Sequence, residues 1–305
     1  MNRRKFVRNS LYTAALAGVN TLPLSALAYD HDVVRLTILH TNDVHSRVEA
    51  FPDDGSRNAN QGGASRRAAL IDSIRKQEKN VLLFDSGDIF QGTPYFNVFG
   101  GEIEFKLMTA MKYDAATMGN HDFDGGMDGF VKQLPHADFP FITSNYDFSD
   151  TPIKGKTEKY KTWMVEDMKI GLYGLGIELD GLVAPEHYGD TQYLDPITVA
   201  REYERMLREE MKCDYVICLS HLGYRYRDDK VSDIVLAKQT YHTDLILGGH
   251  THTFMRQPDV QENLSGHPVF INQAGWAGIL LGRVDIVFER GTQRRRMNSQ
   301  NVIVQ

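Results

Sequence analysis

The sequence predicts one α/β domain with an added antiparallel sheet, and three observations carry that expectation. Apolar runs of strand length alternate with amphipathic stretches of helix length from Val33 to Gly249. Five of these runs stop abruptly at Asp, Asn or His, the residues found where strands deliver ligands at the edge of an open α/β sheet. From His267 onward the chain carries apolar strand-like runs with no helical stretch between them, the pattern of antiparallel strands.

The elements follow in order. VVRLTILH (33–40) reads as a strand. ASRRAALIDSIRKQE (64–78) places Ala68, Ile71 and Ile74 on one helical face. NVLLFDS (80–86) is a strand, GEIEFKLMTAMKY (101–113) a helix and DAATMG (114–119) a short strand. A helix near 126–134 precedes FPFITSNY (139–146), and YKTWMVEDMKIGLYGLG (160–176) reads as a hairpin turning near Glu166 and Asp167. TVAREYERMLREEMK (198–212) is an amphipathic helix with Ala200, Tyr203, Met206, Leu207 and Met211 as its apolar stripe. DYVICLS (214–220) and DLILGG (244–249) are strands flanking a helix at 231–240. No repeat, low-complexity segment or linker divides residues 29–305, and 305 residues with 42% hydrophobic content suffice for one large core.

Residues 1–28 stand apart. A basic start (MNRRKFVRNS), an apolar stretch (LYTAALAGV) and Ala26-Leu27-Ala28 form the pattern of an export signal. Arg3-Arg4 resembles the twin-arginine type, although Asn2 stands where Ser or Thr is usual. The segment carries Arg3, Arg4, Lys5 and Arg8 and no acids, so its removal takes the formal charge from −6 to −10. An acidic domain repels nucleic-acid backbones, which argues against bulk nucleic acid as a partner. No later segment is long and apolar enough to span a membrane. Cys213 and Cys218 flank one strand, with Cα atoms about 16 Å apart in extended chain, too far for a disulfide.

The polar residues gather after the apolar runs: Asn42-Asp43-Val44-His45, Ser86-Gly87-Asp88, Asn120-His121-Asp122-Phe123-Asp124, Ser220-His221, and Gly248-Gly249-His250-Thr251-His252. If the strands are parallel neighbours, these groups converge on one edge. Residues two apart in extended chain point the same way, so Asp43 with His45, and His250 with His252, each address one cavity. The glycines allow tight turns and close backbone approach. Asp, Asn and His without thiolate suit Mn, Zn or Fe, and so many donors suit two ions better than one.

HTNDVHSR, GDIFQGTP, GNHDFD, SHLG and GGHTH, in that order, resemble the five motifs of the calcineurin-like metallophosphoesterases, specifically the 5′-nucleotidase branch. The resemblance spans about residues 33–290. It implies a four-layer α-β-β-α sandwich of two mixed sheets flanked by helices. It implies two divalent metal ions, one on Asp43, His45, Asp88 and His252, the other on Asp88, Asn120, His221 and His250, with Asp88 shared. His121 and Asp124 match the catalytic His–Asp pair, and Asp122 stands at a position that is not a ligand. The implied chemistry is phosphomonoester hydrolysis by a metal-bridging hydroxide, with no phosphoenzyme.

Full-length 5′-nucleotidases carry a second domain whose aromatic residues sandwich the nucleobase, and a sequence ending at Gln305 has no room for it. The resemblance therefore implies a metallophosphoesterase domain alone. Alternatives are a phosphodiesterase or cyclic-nucleotide hydrolase, a thiosulfohydrolase-like relative, a non-catalytic module, or a subunit whose nucleobase-binding domain is a separate chain. Loops 46–63, 177–195 and 222–230 are candidates for substrate contact, with Tyr224, Arg225 and Tyr226 either touching substrate or serving as surface residues.

Overall fold

The computed structural model describes residues 33–292 and 294–305; the export-signal segment lies outside the described residues. Strands β1 (Val33–Thr41), β2 (Val81–Asp85) and β3 (Ala115–Ala116) run parallel. β4 (Tyr146–Asp147) is a two-residue strand paired only with β7 (Gln192–Tyr193). β5 (Tyr160–Val165) and β6 (Met168–Leu175) form the expected hairpin, with Glu166 left-handed at its turn. β6, β8 (Tyr215–Ser220), β9 (Leu245–Gly248) and β11 (Pro268–Asn272) are successive parallel neighbours. β10 (Asp259–Glu262) edges that sheet antiparallel to β11, and β12 (Leu280–Glu289) and β13 (Arg295–Ile303) complete the other. The two large sheets have orders β13-β12-β1-β2-β3 and β10-β11-β9-β8-β6-β5.

Period-2 alternation explains the layering. On β1, Val34, Leu36 and Ile38 face the second sheet; on β8, Tyr215, Ile217 and Leu219 answer them. The alternate residues of β8, Val216 and Cys218, turn outward beneath helices. α1 (Ala64–Gln77), α2 (Pro94–Phe99), α3 (Glu102–Ala110) and α4 (Gly126–Gln133) lie on the first-sheet side. There Ile71, Phe105, Met108 and Phe130 cover Leu39 and Leu83. α5 (Pro196–Arg205) and α6 (Asp233–Gln239) cover the second sheet through Val199, Ala200 and Leu236. The result is the four-layer sandwich. Each fully buried aliphatic side chain contributes roughly 1.5–3 kcal/mol.

Three expectations need correction. The C-terminal strands do not form a separate antiparallel sheet: β12 and β13 extend the first sheet beside β1, while β11 joins the second in parallel with β9. Alternation along β12 shows one buried face but does not select a neighbour. The helix expected over 198–212 is α-helical only to Arg205 and continues as a π turn, Met206–Glu210, in which Met211 N–H reaches back to the Met206 carbonyl at 2.9 Å. Within it Glu204 is buried and accepts from the backbone N–H groups of Tyr241, His242 and Thr243. Finally, the five strand ends are not neighbours in one sheet. β1, β2 and β3 supply three from the first sheet, β8 and β9 two from the second. As expected, Cys213 and Cys218 are buried free thiols.

Candidate metal centre

The loop after β1 lies against the loop after β2. Asp43 N–H donates to the Gly87 carbonyl (2.9 Å), His45 N–H to that of Asp88 (3.1 Å) and Ser46 N–H to that of Ile89 (2.8 Å). This ladder is not extended chain. Asp43, His45, Asp88, His250 and His252 all have left-handed backbones, with φ of 50°, 51°, 55°, 70° and 51°. Convergence of the residue pairs two apart therefore comes from left-handed turns rather than from strand alternation. Asp and His enter that region more readily than most residues, and such conformations collect at functional sites.

Two groups of donors result. Asp43, His45 and His252 bring one ligand atom each within 4.8 Å of one another, and Asp88, His221 and His250 do the same. His45 Nε2 and His252 Nε2 are 3.0 Å apart, and His252 Nε2 is 3.3 Å from Asp43 Oδ1. Asp88 Oδ2 stands between the groups, 3.1 Å from His221 Nε2 and 3.9 Å from His45 Nε2. Asn120 Oδ1 lies 2.9 Å from His250 Nδ1, so it joins the second group. His121 is beside them: its ring is 5.2 Å from that of His45, and its Nδ1 is 2.8 Å from Asp124 Oδ2. All nine residues singled out in the sequence thus meet in one place.

The donor set fits divalent cations. His221 is fully buried, its Nδ1 facing the Ser86 carbonyl at 2.6 Å, and its Nε2 has no hydrogen-bond partner although it points at the two aspartates. A buried orphan nitrogen aimed at carboxylates is what a ligand atom looks like. Burial works against ionisation of Asp88, but the imidazoles of His221, His45 and His121 outweigh it and hold its carboxyl well below the usual range. Burial likewise works against protonation of His221, yet Asp88 and Asp43 push it up to about 10. Burial, then the charge on His221, pushes His250 down to about 4. The carboxylates thus demand positive charge, and a cation there lets the imidazoles serve as neutral donors.

Several residues that hold this arrangement were given no supporting role from the sequence. Asn42 donates to Asp43 Oδ2 (2.6 Å) and the Gly275 carbonyl (2.7 Å), and accepts from Ala274 N–H (2.8 Å). Asp122 is fully buried and accepts from the N–H groups of Asp88, Ile89, Phe90 and Gly119. Gln273 donates to the Gly249 carbonyl (2.8 Å). The acidic density of the Asn120–Asp124 segment was the only sequence signal for Asp122; nothing local marks Gln273.

The glycines of Gly248-Gly249 earn their place by close approach, not by turning, since neither has a positive φ. A Cβ on Gly249 would lie 2.9 Å from His221 Nδ1 and 3.2 Å from Asp43 Oδ2. Of the residues proposed for substrate contact, Tyr224 donates to Asp259 (2.9 Å), Tyr226 donates to the Leu222 carbonyl (2.6 Å), and Arg225 lies over Tyr224. Each of the three thus has a partner within the protein. The cleft beside the donors, about 270 Å³, is lined instead by His45, Arg47, Gln91, His121, His252 and Trp276.

Among known proteins, the chain is 32% identical over 286 residues to the snake venom 5′-nucleotidase of Crotalus adamanteus, covering 87% of this chain and 47% of that one. It is 33% identical to the 5′-nucleotidase of Homo sapiens, covering 84% and 47%. The crystal structure of a 5′-nucleotidase precursor from Thermus thermophilus superposes with a TM-score of 0.79 at 29% identity, covering 88% and 54%. The chain spans about half the length of these curated relatives. The family profile described as calcineurin-like phosphoesterase matches residues 36–254, from β1 through the turn that carries His250 and His252. With both donor groups inside that match, the chain belongs to the calcineurin-like phosphoesterase family.

Proposed function

We propose that this chain is a phosphoric ester hydrolase of the 5′-nucleotidase type, acting on phosphomonoesters with two divalent cations. The observation that carries the reading is the pair of adjoining donor groups, Asp43–His45–His252 and Asp88–His221–His250, with the His121–Asp124 pair at their side. In this reading Asp43, His45, Asp88 and His252 hold one cation, Asp88, Asn120, His221 and His250 the other, and Asp88 serves both. Nitrogen and oxygen donors without thiolate suit Mn, Zn or Fe. When bound, such a pair supplies Lewis-acid charge for the phosphoryl oxygens and an activated water as nucleophile.

The protein's own groups do the rest. Asp43, Asp88 and His221 are buried, so their charges and dipoles act with little screening by bulk water. The Asp124 hydrogen bond, assisted by Asp88, raises the pKa of His121 above its ordinary value. His121 can therefore present a proton to the leaving oxygen or to the charge developing on it. Asp124 fixes the ring by holding Nδ1, which leaves Nε2 for the substrate.

The pattern of residues 1–28 supports export, to a periplasmic or extracellular location. No helix among the described residues is long and apolar enough to cross a membrane.

The test loads the full chain with Mn²⁺ and compares AMP, a phosphodiester and an aryl phosphate. Preferential monoester turnover is expected; a preference for the diester would move the reading to a phosphodiesterase, and hydrolysis of none of them by metal-replete protein would end it. His121→Asn should keep both metals and lose at least about a hundredfold in kcat. Asp88→Asn should lose metal and activity together; full occupancy in that variant defeats the shared-carboxylate assignment.

A further inference from the structure

The cleft next to the donor groups contains a feature the proposed hydrolysis does not use. Arg47 is the one permanently charged side chain lining it. Its Nε is buried without a hydrogen-bond partner, and no carboxylate pairs with it among the described residues. A π-stacked wall holds it in place. The Arg47 guanidinium lies 4.3 Å over the Phe51 ring, Phe51 meets Trp276 edge-on at 5.9 Å, and Trp276 lies parallel to His252 with centroids 5.8 Å apart. The far end of that wall is pinned to the metal loop: Ala277 N–H donates to the Asp43 carbonyl at 2.7 Å, and Asn42 ties down Ala274 and Gly275. The row therefore runs without a break from a candidate metal ligand to an unpaired cation.

A half-buried guanidinium without a counter-ion has lost hydration and regained little of it, so it favours an anionic partner. Arg47 also lines a small enclosed cavity with Arg67, Asp85 and Glu104, but it forms no ion pair there among the described residues, and the open cleft on its other side holds no carboxylate. We propose that Arg47 and Trp276 form a leaving-group subsite that selects phosphate esters whose alcohol portion carries a second negative charge. This rests on the phosphohydrolase reading above. With the phosphoryl group at the donor cluster, the P–O bond to the leaving group breaks as the bond from water forms, and the departing oxygen takes up a proton. The rest of the leaving group then occupies the cleft, with its carbon skeleton against the indole and its carboxylate or phosphate on the planar fork of Arg47.

The test uses the metal-loaded full chain and two esters of one shape, 3-carboxyphenyl phosphate and 3-carbamoylphenyl phosphate, which differ in charge. Wild type is expected to favour the carboxylate about tenfold or more in kcat/KM, mainly through KM. Arg47→Met should erase that ratio, Arg47→Lys should keep part of it, and Trp276→Leu should raise KM for both esters alike. Wild type alone supplies a second reading, since the preference must shrink as ionic strength rises. A wild-type ratio near one, or a ratio untouched by Arg47→Met, overturns the subsite while leaving the phosphohydrolase standing. Hydrolysis of neither ester by protein with both metals bound overturns the two together.

Discussion

Replacing Gly119 by Ala should weaken metal binding at the candidate centre without altering any donor residue. Gly119 precedes Asn120, and its N–H donates to Asp122 at 2.8 Å. Its φ is not left-handed, so the backbone itself accepts alanine. The obstacle is space: a Cβ there would lie 2.6 Å from Asp88 N and 2.6 Å from His221 Cε1, and closer still to Asp88 Oδ1. Non-bonded carbon contacts settle near 3.5 Å, so the neighbours must retreat by about 0.9 Å. Two proposed ligands and the backbone of one of them would have to move. Metal–ligand distances tolerate about 0.2 Å, and a misplacement of about 1 Å at a reacting centre costs roughly a hundredfold. Overpacking adds about 1–3 kcal/mol of destabilisation. The variant should therefore fold, melt at lower temperature and lose at least tenfold in metal affinity and about a hundredfold in turnover. Metal stoichiometry after dialysis against a buffered metal, thermal unfolding and phosphomonoester kinetics measure the three. Gly129→Ala is the control, because a Cβ there meets nothing within 4 Å in α4. Gly119→Ala protein that keeps two ions and turns over within threefold of wild type would refute the reasoning.

Three further outcomes are expected. His40 is fully buried, Nε2 is 2.9 Å from the Asn272 amide nitrogen, and Nδ1 has no partner; burial pushes its pKa down to about 3. Between the unfolded value near 6.5 and that point only the unfolded chain takes the proton, so stability falls as pH falls, by roughly 1.4 kcal/mol per unit. From pH 7 to 5 urea unfolding should show His40→Gln losing about 2 kcal/mol less than wild type, and parallel losses would exclude the assignment. Glu204→Gln should cost about 2–4 kcal/mol, because one buried carboxylate serves three N–H groups and the Thr243 hydroxyl; kcat per folded molecule should stay unchanged. Asp122→Asn leaves one oxygen for four N–H donors around Asp88 and turns an NH₂ toward them. Titration with metal should show affinity lowered at least tenfold, and unaltered affinity would mean that Asp122 merely fills space.

Much of the molecule is written locally. Val34, Leu36 and Ile38 alternate with polar neighbours, Ile71 and Ile74 recur at helical spacing, and such periods report a buried face wherever they occur. The donor residues were equally legible, because Asp, Asn and His crowd the ends of apolar runs and have no role in packing there. Tertiary structure decided what periodicity cannot encode. A buried face does not name its neighbour, so nothing local placed β12 beside β1 or divided the five strand ends between two sheets. The left-handed backbones of Asp43, His45 and Asp88 occur where two loops bond to each other, and that pairing exists only after β1 and β2 are aligned. Arg47 and Trp276 line one cleft although the chain between them builds the whole second sheet and two strands of the first. Identity and spacing thus determined which atoms were available for chemistry; long-range hydrogen bonding and packing determined where they met, because that information resides in contacts between distant segments.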